Sequence, residues 1–348
     1  GVVLNFSEPL AKGAGGAARP QSKCNHRVVV QKLLATGGFA DVYLARDTRQ
    51  SPSARGRRRT LYAAKHMRVQ SDEQLAAIEH EIAAHRGVSH PNVMQLLGDA
   101  FDICGGMKHA YLLFPYCAGG TVFDALEAGS APLPKGQRAP LTEINILRIF
   151  AGAVAGVAAM HAAGIAHRDV KPRNLLMNGI YLTCVVTDLG SVDVVRRTVA
   201  SRSEALALEE EAAEKCTAPF RAPELFQVDK RCVVDGRADV WSLGCVLYAM
   251  AFGVNAFESA AEGVQKLAIL SANLGSSGLP NGRSHRGVQY SDAFEKLIRV
   301  QLQRDPSKRP TAAQLLGVVK KLETRLQNGG TGSTPGSTPL KARGGAGG

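Results

Sequence analysis

One eight-residue segment, His167–Asn174, constrains this 348-residue chain more than any other part of it. Its sequence, HRDVKPRN, brings together an acid at Asp169, a base at Lys171 and an amide at Asn174. A pattern that fixes six of these eight residues arises by chance about five times in a million in a chain of this length, if all residues are equally frequent. The segment therefore indicates a chemical site rather than an ordinary loop.

The six fixed residues resemble the catalytic loop of the protein kinases. The resemblance implies that Asp169 orients the attacking hydroxyl and accepts its proton, and that Lys171 neutralises charge on the transferring phosphate. It also implies that ATP is the phosphate donor and that Asn174 gives an oxygen to Mg²⁺. Lysine followed by proline, at Lys171 and Pro172, resembles serine/threonine kinases rather than tyrosine kinases.

A second metal ligand is expected at Asp188, fourteen residues after Asn174. Asp188 follows a short apolar stretch, and it stands where kinases have the Asp of Asp-Phe-Gly. The resemblance implies that its carboxylate holds the magnesium ion that bridges the β- and γ-phosphates. Leu189 replaces the usual Phe, and since both side chains are apolar we expect the change to tune activity rather than abolish it.

Lys65 stands where kinases place the lysine that contacts the α- and β-phosphates, and it follows Ala63 in the motif position. Glu81, on the amphipathic segment that follows, is its expected ion-pair partner, and Glu79 is the alternative carboxylate. In isolation Lys65 is equally consistent with an exposed strand lysine. Beside the catalytic-loop motif, the phosphate-binding interpretation is favoured.

The expected phosphate-covering loop is the weakest match. Kinases use Gly-x-Gly-x-x-Gly-x-Val, because backbone amides must approach the phosphates closely. Here Gly37 keeps the middle position, next to Gly38 and before Val42, whereas Ala35 and Ala40 stand in the outer glycine positions. The Gly-Gly pair is equally typical of a hairpin turn. We expect Ala40 to be tolerated, and Ala35 is the more doubtful departure.

The segment from Tyr111 to Gly120 resembles the edge strand and hinge that join the two kinase lobes. The resemblance implies that Phe114 lies beside the adenine, and that the backbone of Pro115 and Cys117 bonds the base. Proline lacks an N–H, but the first hinge position contributes a carbonyl, so Pro115 is chemically allowed.

Three further positions match structural elements of the kinases. Glu224 belongs to an Ala-Pro-Glu sequence, and Arg309 is its expected ion-pair partner. Thr217 stands where serine/threonine kinases place a threonine near the catalytic aspartate, although a plain loop threonine is the alternative.

Local patterns divide the body of the chain into a strand-rich and a helix-rich part. Short alternating or β-branched stretches predict strands at 27–34, 41–46, 61–69, 93–100 and 109–116. Apolar residues at spacings of three and four predict helices at 72–86, 121–128, 142–162, 239–252, 291–303 and 311–327. The expected fold is α+β and bilobal, with a small β-rich N-lobe and a larger helical C-lobe.

The domain boundaries follow from these patterns and from composition. We expect a kinase domain over 27–327, made of an N-lobe (27–116), a hinge (115–118) and a C-lobe (119–327). Residues 1–26 are expected to be disordered, as is the Gly/Ser/Thr/Pro-rich tail at 328–348.

An additional helix is predicted inside the activation segment. Ser201 and Glu204 fit a capping box, and the following residues are rich in Ala, Leu and Glu. Such a helix, together with Asp-Leu-Gly, resembles the Numb-associated kinase family. The resemblance implies activity without phosphorylation, association with the Golgi or another membrane, and a role in membrane traffic.

The net charge of +12 is concentrated near the N-terminus, because residues 1–60 alone carry +8. The basic residues Arg55, Arg57, Arg58 and Arg59 could attract an anionic membrane, but a solvated insert is the favoured alternative. No nucleic-acid partner is expected, since no aromatic stacking motif accompanies the charge. The seven cysteines form no CxxC pair and no signal sequence is evident, which favours an intracellular, cytoplasmic protein.

The sequence is consistent with two functions. The first is a serine/threonine kinase that transfers the γ-phosphate of MgATP to protein hydroxyls. The second is a catalytically weak kinase fold that acts as a scaffold, motivated by Ala35 and Ala40.

Overall fold

A computed structural model of the chain describes residues 3–7, 24–38, 40–48, 60–132, 138–178, 182–274 and 289–328. Within these ranges the chain forms an N-lobe that is mostly strand and a C-lobe that is mostly helix. The prediction of an α+β, two-lobed protein is confirmed.

Six strands of the N-lobe form a closed antiparallel barrel in the order β1-β2-β3-β4-β6-β5. They are β1 (Val3–Ser7), β2 (Cys24–Thr36), β3 (Asp41–Asp47), β4 (Leu61–Val69), β5 (Gly98–Cys104) and β6 (Met107–Pro115). Alternate side chains of a strand point to opposite faces. Along β4, Tyr62 and Ala64 are buried in the barrel core, whereas Met67 packs in the core beneath a helix. Lys65 therefore leaves β4 on the helix side.

The prediction that residues 1–26 are disordered is wrong for β1 and for the start of β2. Leu4 and Phe6 alternate with exposed neighbours, so both can enter the barrel core, where Phe6 is fully buried. β1 pairs with β2 along its length and with β5 at Ser7. The rest of residues 1–26, the whole basic insert at 50–59 and the predicted disordered tail from residue 329 onward lie outside the described residues.

One helix, α1 (Asp72–Gly87), packs on the N-lobe barrel. Its N-cap is Ser71, whose hydroxyl accepts from the backbone of Gln74, and acidic residues in its first turn suit the helix dipole. The helix buries Ile78 and Ile82 in one core with Met67. The same face carries Glu81, which is thereby directed toward β4.

The C-lobe is built on buried helices. They are α2 (Val122–Ala128), α3 (Glu143–Ala162), α4 (Arg202–Lys215), α5 (Arg237–Phe252), α6 (Lys266–Ser271), α7 (Asp292–Gln301) and α8 (Ala312–Gln327). Among the described residues α3 alone is long and apolar enough to cross a membrane, but 56% of that stretch is buried within the protein, as expected of a core helix. It packs against α8, α5 and a hairpin strand.

Short strand pairs shape the loops of the C-lobe. They are β7 (Ser130–Pro132) with β8 (Arg138–Pro140), β9 (Ile165–Ala166) with β12 (Asp193–Val194), β10 (Leu175–Asn178) with β11 (Thr183–Val186), β13 (Arg196–Val199) with β14 (Cys232–Asp235), and β15 (Glu258–Ser259) with β16 (Gly263–Val264). The β10–β11 hairpin connects the predicted catalytic loop, which ends at Asn174, to the segment that carries Asp188. It therefore brings Asn174 and Asp188 to one end of the same hairpin.

The predicted helix of the activation segment is confirmed as α4. The Ser201 hydroxyl accepts from the backbone of Glu204, as a helix N-cap does. The Glu204 carboxylate accepts from the backbone N–H of Ala200 at 2.8 Å. The helix buries Ala205, Leu208 and Ala212 against the C-lobe.

Candidate active site

Lys65 lies at the junction of the two lobes, between two carboxylates. Its Nζ is 2.7 Å from Oε1 of Glu81 and 3.1 Å from Oδ1 of Asp188. The predicted ion pair with Glu81 is therefore present, and Glu79, the alternative carboxylate, lies exposed on the same helix. β4, α1 and the end of the β10–β11 hairpin each supply one of the three groups.

Burial and charge act in opposite directions on these groups. Burial by itself lowers the pKa of Lys65, but Glu81 and Asp188 outweigh it and hold that pKa above its ordinary value. The pKa of Glu81 is raised by burial, with Lys65 opposing. The pKa of Asp188 is lowered, because attraction to Lys65 outweighs the partial loss of water around its carboxylate.

The backbone at Asp188 is left-handed, with φ 63° and ψ 74°. This conformation is unfavourable for a residue with a side chain, and it is typical of functional sites that their surroundings hold in place. Leu189 follows in a short 3-10 helix, Leu189–Ser191, which lies against α1. Leu189 is fully buried, so the apolar replacement of Phe is accommodated in the core.

Asp169 forms a compact network with three other residues of the predicted site. Its Oδ2 is 2.7 Å from Nζ of Lys171, and Lys171 also donates to the Thr217 hydroxyl at 2.8 Å. Thr217 donates from its backbone N–H to Oδ1 of Asp169 at 2.9 Å. Nδ2 of Asn174 donates to the backbone carbonyl of Asp169 at 2.9 Å. The structure thus places Thr217 beside the aspartate, as predicted.

Asp239, in the first turn of α5, holds the backbone of the catalytic loop through hydrogen bonds. Its carboxylate accepts from the backbone N–H groups of His167 and Arg168, each at 2.8 Å, and from Nε2 of His161 at 2.8 Å. Asp239 is fully buried, yet these partners outweigh the burial and lower its pKa well below the ordinary value. They also support the left-handed backbone of Arg168.

The predicted phosphate-covering loop is a hairpin between β2 and β3. Ala35 lies opposite Val42 in the register, and the N–H of Gly37 donates to the carbonyl of Ala40 at 2.8 Å. Gly38 has open space where a Cβ would stand. Val42 is in turn the register partner of Lys65, so the hairpin lies directly beside the phosphate-binding lysine of the prediction.

The predicted hinge residues lie at the end of β6. Phe114 is buried and is the register partner of Ala63, while Pro115 is the last residue of the strand. Cys117 follows, partly buried, and burial raises the pKa of its thiol. The structure therefore brings Phe114, Ala63 and Cys117 to the side of the cleft where the hairpin and Lys65 meet.

A chain of ion pairs ties the catalytic loop to α4. Arg168 and Arg197 both lie 3.5 Å from Oδ2 of Asp193. Arg197 also contacts Oε2 of Glu211 at 2.6 Å, and Lys215 contacts Oε1 of Glu211 at 2.8 Å. The arginine next to Asp169 is thus connected to the activation segment through carboxylates.

A family model described as a protein kinase domain matches residues 28–318, most of the chain. The chain belongs to the protein kinase family. Serine/threonine-protein kinase 16 of Mus musculus is 34% identical over 299 residues, which cover 86% of this chain and 91% of the relative. The Homo sapiens protein of the same name is 33% identical over the same length, and serine/threonine-protein kinase ppk13 of Schizosaccharomyces pombe is 30% identical over 328 residues. These relatives agree with a protein serine/threonine kinase.

The kinase also contains the predicted structural ion pair between Glu224 and Arg309. Two guanidinium nitrogens of Arg309 contact the two carboxylate oxygens at 2.7 and 2.8 Å, and Arg309 is almost fully buried. Such bidentate pairs are among the strongest hydrogen-bonded ion pairs.

Sequence patterns did not indicate two histidines of the kinase. His161 holds Asp239 from the end of α3, 78 residues away in the chain. His85 lies one helical turn after Glu81, where its Nδ1 contacts the carbonyl of Met94 at 2.9 Å. Its Nε2 is buried with no hydrogen-bond partner among the described residues. The sequence could have indicated His85, because it lies at helical spacing from Ile78 and Ile82, where an apolar side chain is expected.

Proposed function

We propose that this kinase transfers the γ-phosphate of MgATP to serine or threonine hydroxyls of proteins, with Asp169 as the catalytic base. The strongest support is the simultaneous assembly of the Lys65–Glu81 pair and the Asp169–Lys171–Thr217 network. Both are needed for phosphoryl transfer, because the reaction depends on positioning and on charge neutralisation.

Asp169 is suited to receive a hydroxyl proton. Lys171 and the backbone of Thr217 hold its two oxygens, so the carboxylate keeps one orientation. A substrate hydroxyl that hydrogen-bonds to Asp169 would be aimed for attack, and Lys171 would lie beside the transferring group. The Thr217 hydroxyl, bonded to Lys171, would help to define this position for a serine or threonine.

The residues available for Mg²⁺ fit a hard cation. Asp188 offers a carboxylate whose side chain is 48% exposed, and its Oδ1 is the oxygen bonded to Lys65. Asn174 uses Nδ2 toward Asp169, which leaves its amide oxygen for a metal. Carboxylate and amide oxygens suit Mg²⁺, which usually completes its shell with phosphate and water. Bound MgATP supplies the phosphoryl group and the cation that offsets its charge; Lys65 would hold the phosphates in place.

The alternative of a weak, scaffolding kinase rests on Ala35 and Ala40. Each adds only a methyl group relative to glycine, and the β2–β3 hairpin accommodates both. The assembled ion pairs around Asp169 and Lys65 favour the enzyme over the scaffold.

Phosphate transfer from labelled ATP to a generic protein substrate tests this choice. Because Asp188→Asn removes a charged metal ligand, we expect it to lower the rate at least a hundredfold. Asp102→Asn, at an exposed position of β5, serves as the control and should match the unaltered protein. An equal signal from the unaltered protein and Asp188→Asn would contradict the enzyme proposal.

We further propose an intracellular, cytoplasmic kinase that associates peripherally with Golgi or other membranes and acts in membrane traffic. The support is the basic character of residues 1–60 and the lack of a disulfide among the described cysteines. Cosedimentation with anionic vesicles should be lost when Arg57, Arg58 and Arg59 become Gln, since each cation contributes about 1 kcal/mol at such a surface. Replacing Lys296, Arg299 and Lys321, which are exposed in the C-lobe, is the control of equal charge. Equal binding by both variants would favour a solvated insert instead.

A further inference from the structure

Arg173 is an exposed cation within the catalytic loop. It belongs to the 3-10 helix Pro172–Asn174, between Lys171 and Asn174. Lys171 forms an ion pair with Asp169, and Asn174 donates a hydrogen bond to it. Arg173, which lies between them in the chain, makes no such contact with Asp169. Its guanidinium carbon lies 3.6 Å from the centre of the Phe123 ring on α2.

The other cations around the cleft already have acceptors. Lys65 pairs with two carboxylates, Lys171 with Asp169, and Arg168 with Asp193. Arg221 is buried and donates to the backbone carbonyls of residues 213 and 216. Within the described part of the chain, Arg173 is the cleft cation with neither a carboxylate partner nor a hydrogen bond.

The two nearest carboxylates on α2 do not pair with Arg173. Asp124 accepts from the backbone and hydroxyl of Thr121, where it completes the capping box of α2. Glu127 lies one turn further along α2 and is exposed, but it forms no ion pair with Arg173 among the described contacts. The cation is therefore available to a group that comes from outside the chain.

The stacking on Phe123 prepares Arg173 for a carboxylate. An arginine held flat on an aromatic ring keeps the N–H groups at its edge accessible, and these can bind a carboxylate through two parallel hydrogen bonds. Because the ring already restricts the side chain, less conformational entropy is lost on binding. A mobile surface arginine would lack this advantage.

We propose that Arg173 is a specificity-determining residue that selects substrates with an aspartate or glutamate near the target hydroxyl. This inference rests on the proposed kinase function. Asp169 and Arg173 are four residues apart in the chain, so their Cα atoms lie at most about 14 Å apart. An extended peptide advances about 3.3 Å per residue, so the selected acid lies within about four residues of the target. Arg173 lies on the α2 side of Asp169, whereas Thr217 approaches Asp169 from the activation segment. The preference should therefore appear on one side of the target only.

The test is a set of serine peptides that carry Glu, Gln or Lys at each of the four positions on either side of the serine. With the full chain and MgATP, we expect kcat/KM to be about tenfold higher for the Glu peptide than for the Gln peptide at one position or at two adjacent ones. That ratio corresponds to about 1.4 kcal/mol. It should fall as salt is raised, because the contact is exposed.

Variants separate recognition from folding. In Arg173→Ala the Glu/Gln ratio should approach one, and in Arg173→Glu the Lys peptide should become the preferred one. If Arg173 had a purely structural role, its replacement would lower kcat/KM equally for all three peptides and leave the Glu/Gln ratio unchanged. Arg299→Glu, at an exposed position of α7, is the matched control and should keep the original ratio.

The outcomes are distinct for the two proposals. Phosphorylation of all peptides without a charge preference would overturn the role of Arg173 and leave the kinase function intact. A preference that persists in Arg173→Glu would also overturn it. If no peptide or protein is phosphorylated, both the specificity proposal and the kinase proposal fail.

Discussion

Glu81 is the residue on which the junction between the lobes most depends. Its side chain is 5% exposed, and its partner Lys65 is 18% exposed. Removing one member of a buried ion pair leaves the other charge without compensation, which typically costs about 3–5 kcal/mol. The loss would affect Lys65, the proposed phosphate-binding lysine, rather than Asp169, the proposed base.

We expect Glu81→Gln to lower kcat/KM for ATP by at least about tenfold, because Lys65 would lose its main anchor. Steady-state kinetics with varied ATP would measure the effect. Glu79→Gln, two residues earlier and exposed, is the matched control and should behave as the unaltered kinase. Equal losses in the two variants would contradict a specific role for Glu81.

His85 makes the stability of the kinase depend on pH. Burial lowers its pKa to about 4 from an ordinary value of 6.5, despite the hydrogen bond to Met94. Below pH 6.5 the unfolded chain binds a proton that the folded chain refuses until about pH 4. Stability is therefore lost as the pH falls through this window, by about 2 kcal/mol between pH 7 and 5.

We expect His85→Leu to remove this part of the pH dependence. Urea unfolding at pH 7, 6 and 5 would show a smaller loss of stability for the variant than for the unaltered kinase. His80→Leu, exposed on the same helix, controls for the loss of an imidazole and should retain the full dependence. If His85→Leu and the unaltered protein fall in parallel, the buried imidazole is not the source.

Single residues also show the limits of sequence interpretation. Motif spacing identified Asp169, Lys171, Asn174 and Asp188, because all four lie in two short motifs of fixed local spacing. His161 was not placed, since its partner Asp239 is 78 residues away and no local spacing connects them. Contacts made by the fold between distant residues leave no period or motif to detect.

Among the elements, α4 gives the activation segment a fixed shape. It ends at Lys215, just before Thr217, and the Arg168–Asp193–Arg197–Glu211 ion pairs attach it to the catalytic loop. In this arrangement carboxylates already supply the negative charge that the arginines face. A phosphate group would not be needed for the same purpose.

We expect phosphatase treatment to leave the activity unchanged and Glu211→Gln to lower it about three- to tenfold, because Arg197 and Lys215 would both lose a partner. Peptide phosphorylation rates, with limited proteolysis of α4, would measure both effects. Glu210→Gln, the exposed neighbour, is the matched control. Activity that disappears on phosphatase treatment would show that the ion pairs are insufficient.

Elements with strong local signals were predicted well, whereas the strand predicted at 93–100 was wrong in its bounds, since β5 runs from Gly98 to Cys104. The helices at 72–86, 142–162 and 311–327 were found within a residue or two, because their apolar spacing and caps are local. β1 was not predicted, because its five residues, three of them apolar, are too few to show a strand pattern without the neighbouring strands of the barrel. The two-residue strands of the C-lobe depend wholly on their partners.

At the level of the whole molecule, the N-lobe has a core of its own inside the barrel. Phe6 from β1 is fully buried there with Val28, Ala45 and Leu113. The N-terminal strand is thus part of the lobe that positions Lys65. Loss of β1 would open this core while leaving the core of the C-lobe in place.

We expect Phe6→Ala to destabilise the kinase by about 3–5 kcal/mol, the usual cost of removing a buried aromatic side chain. Thermal and urea unfolding would measure the change. Asn5→Ala, the exposed neighbour on the same strand, should have little effect. Equal stability of the two variants would mean that β1 does not contribute to the lobe.

The position of β1 between β2 and β5 gives every described strand of the N-lobe a neighbour on both sides. Open strand edges are where proteins accept a foreign strand or begin to aggregate. β1 occupies the edge of β2 from Cys24 to Val29 and reaches β5 at Asp99, so these parts of the barrel are closed to a foreign strand. A protein that adds a strand at this part of β2 would first have to displace Val3–Ser7, and it would then compete directly with the chain's own N-terminal segment.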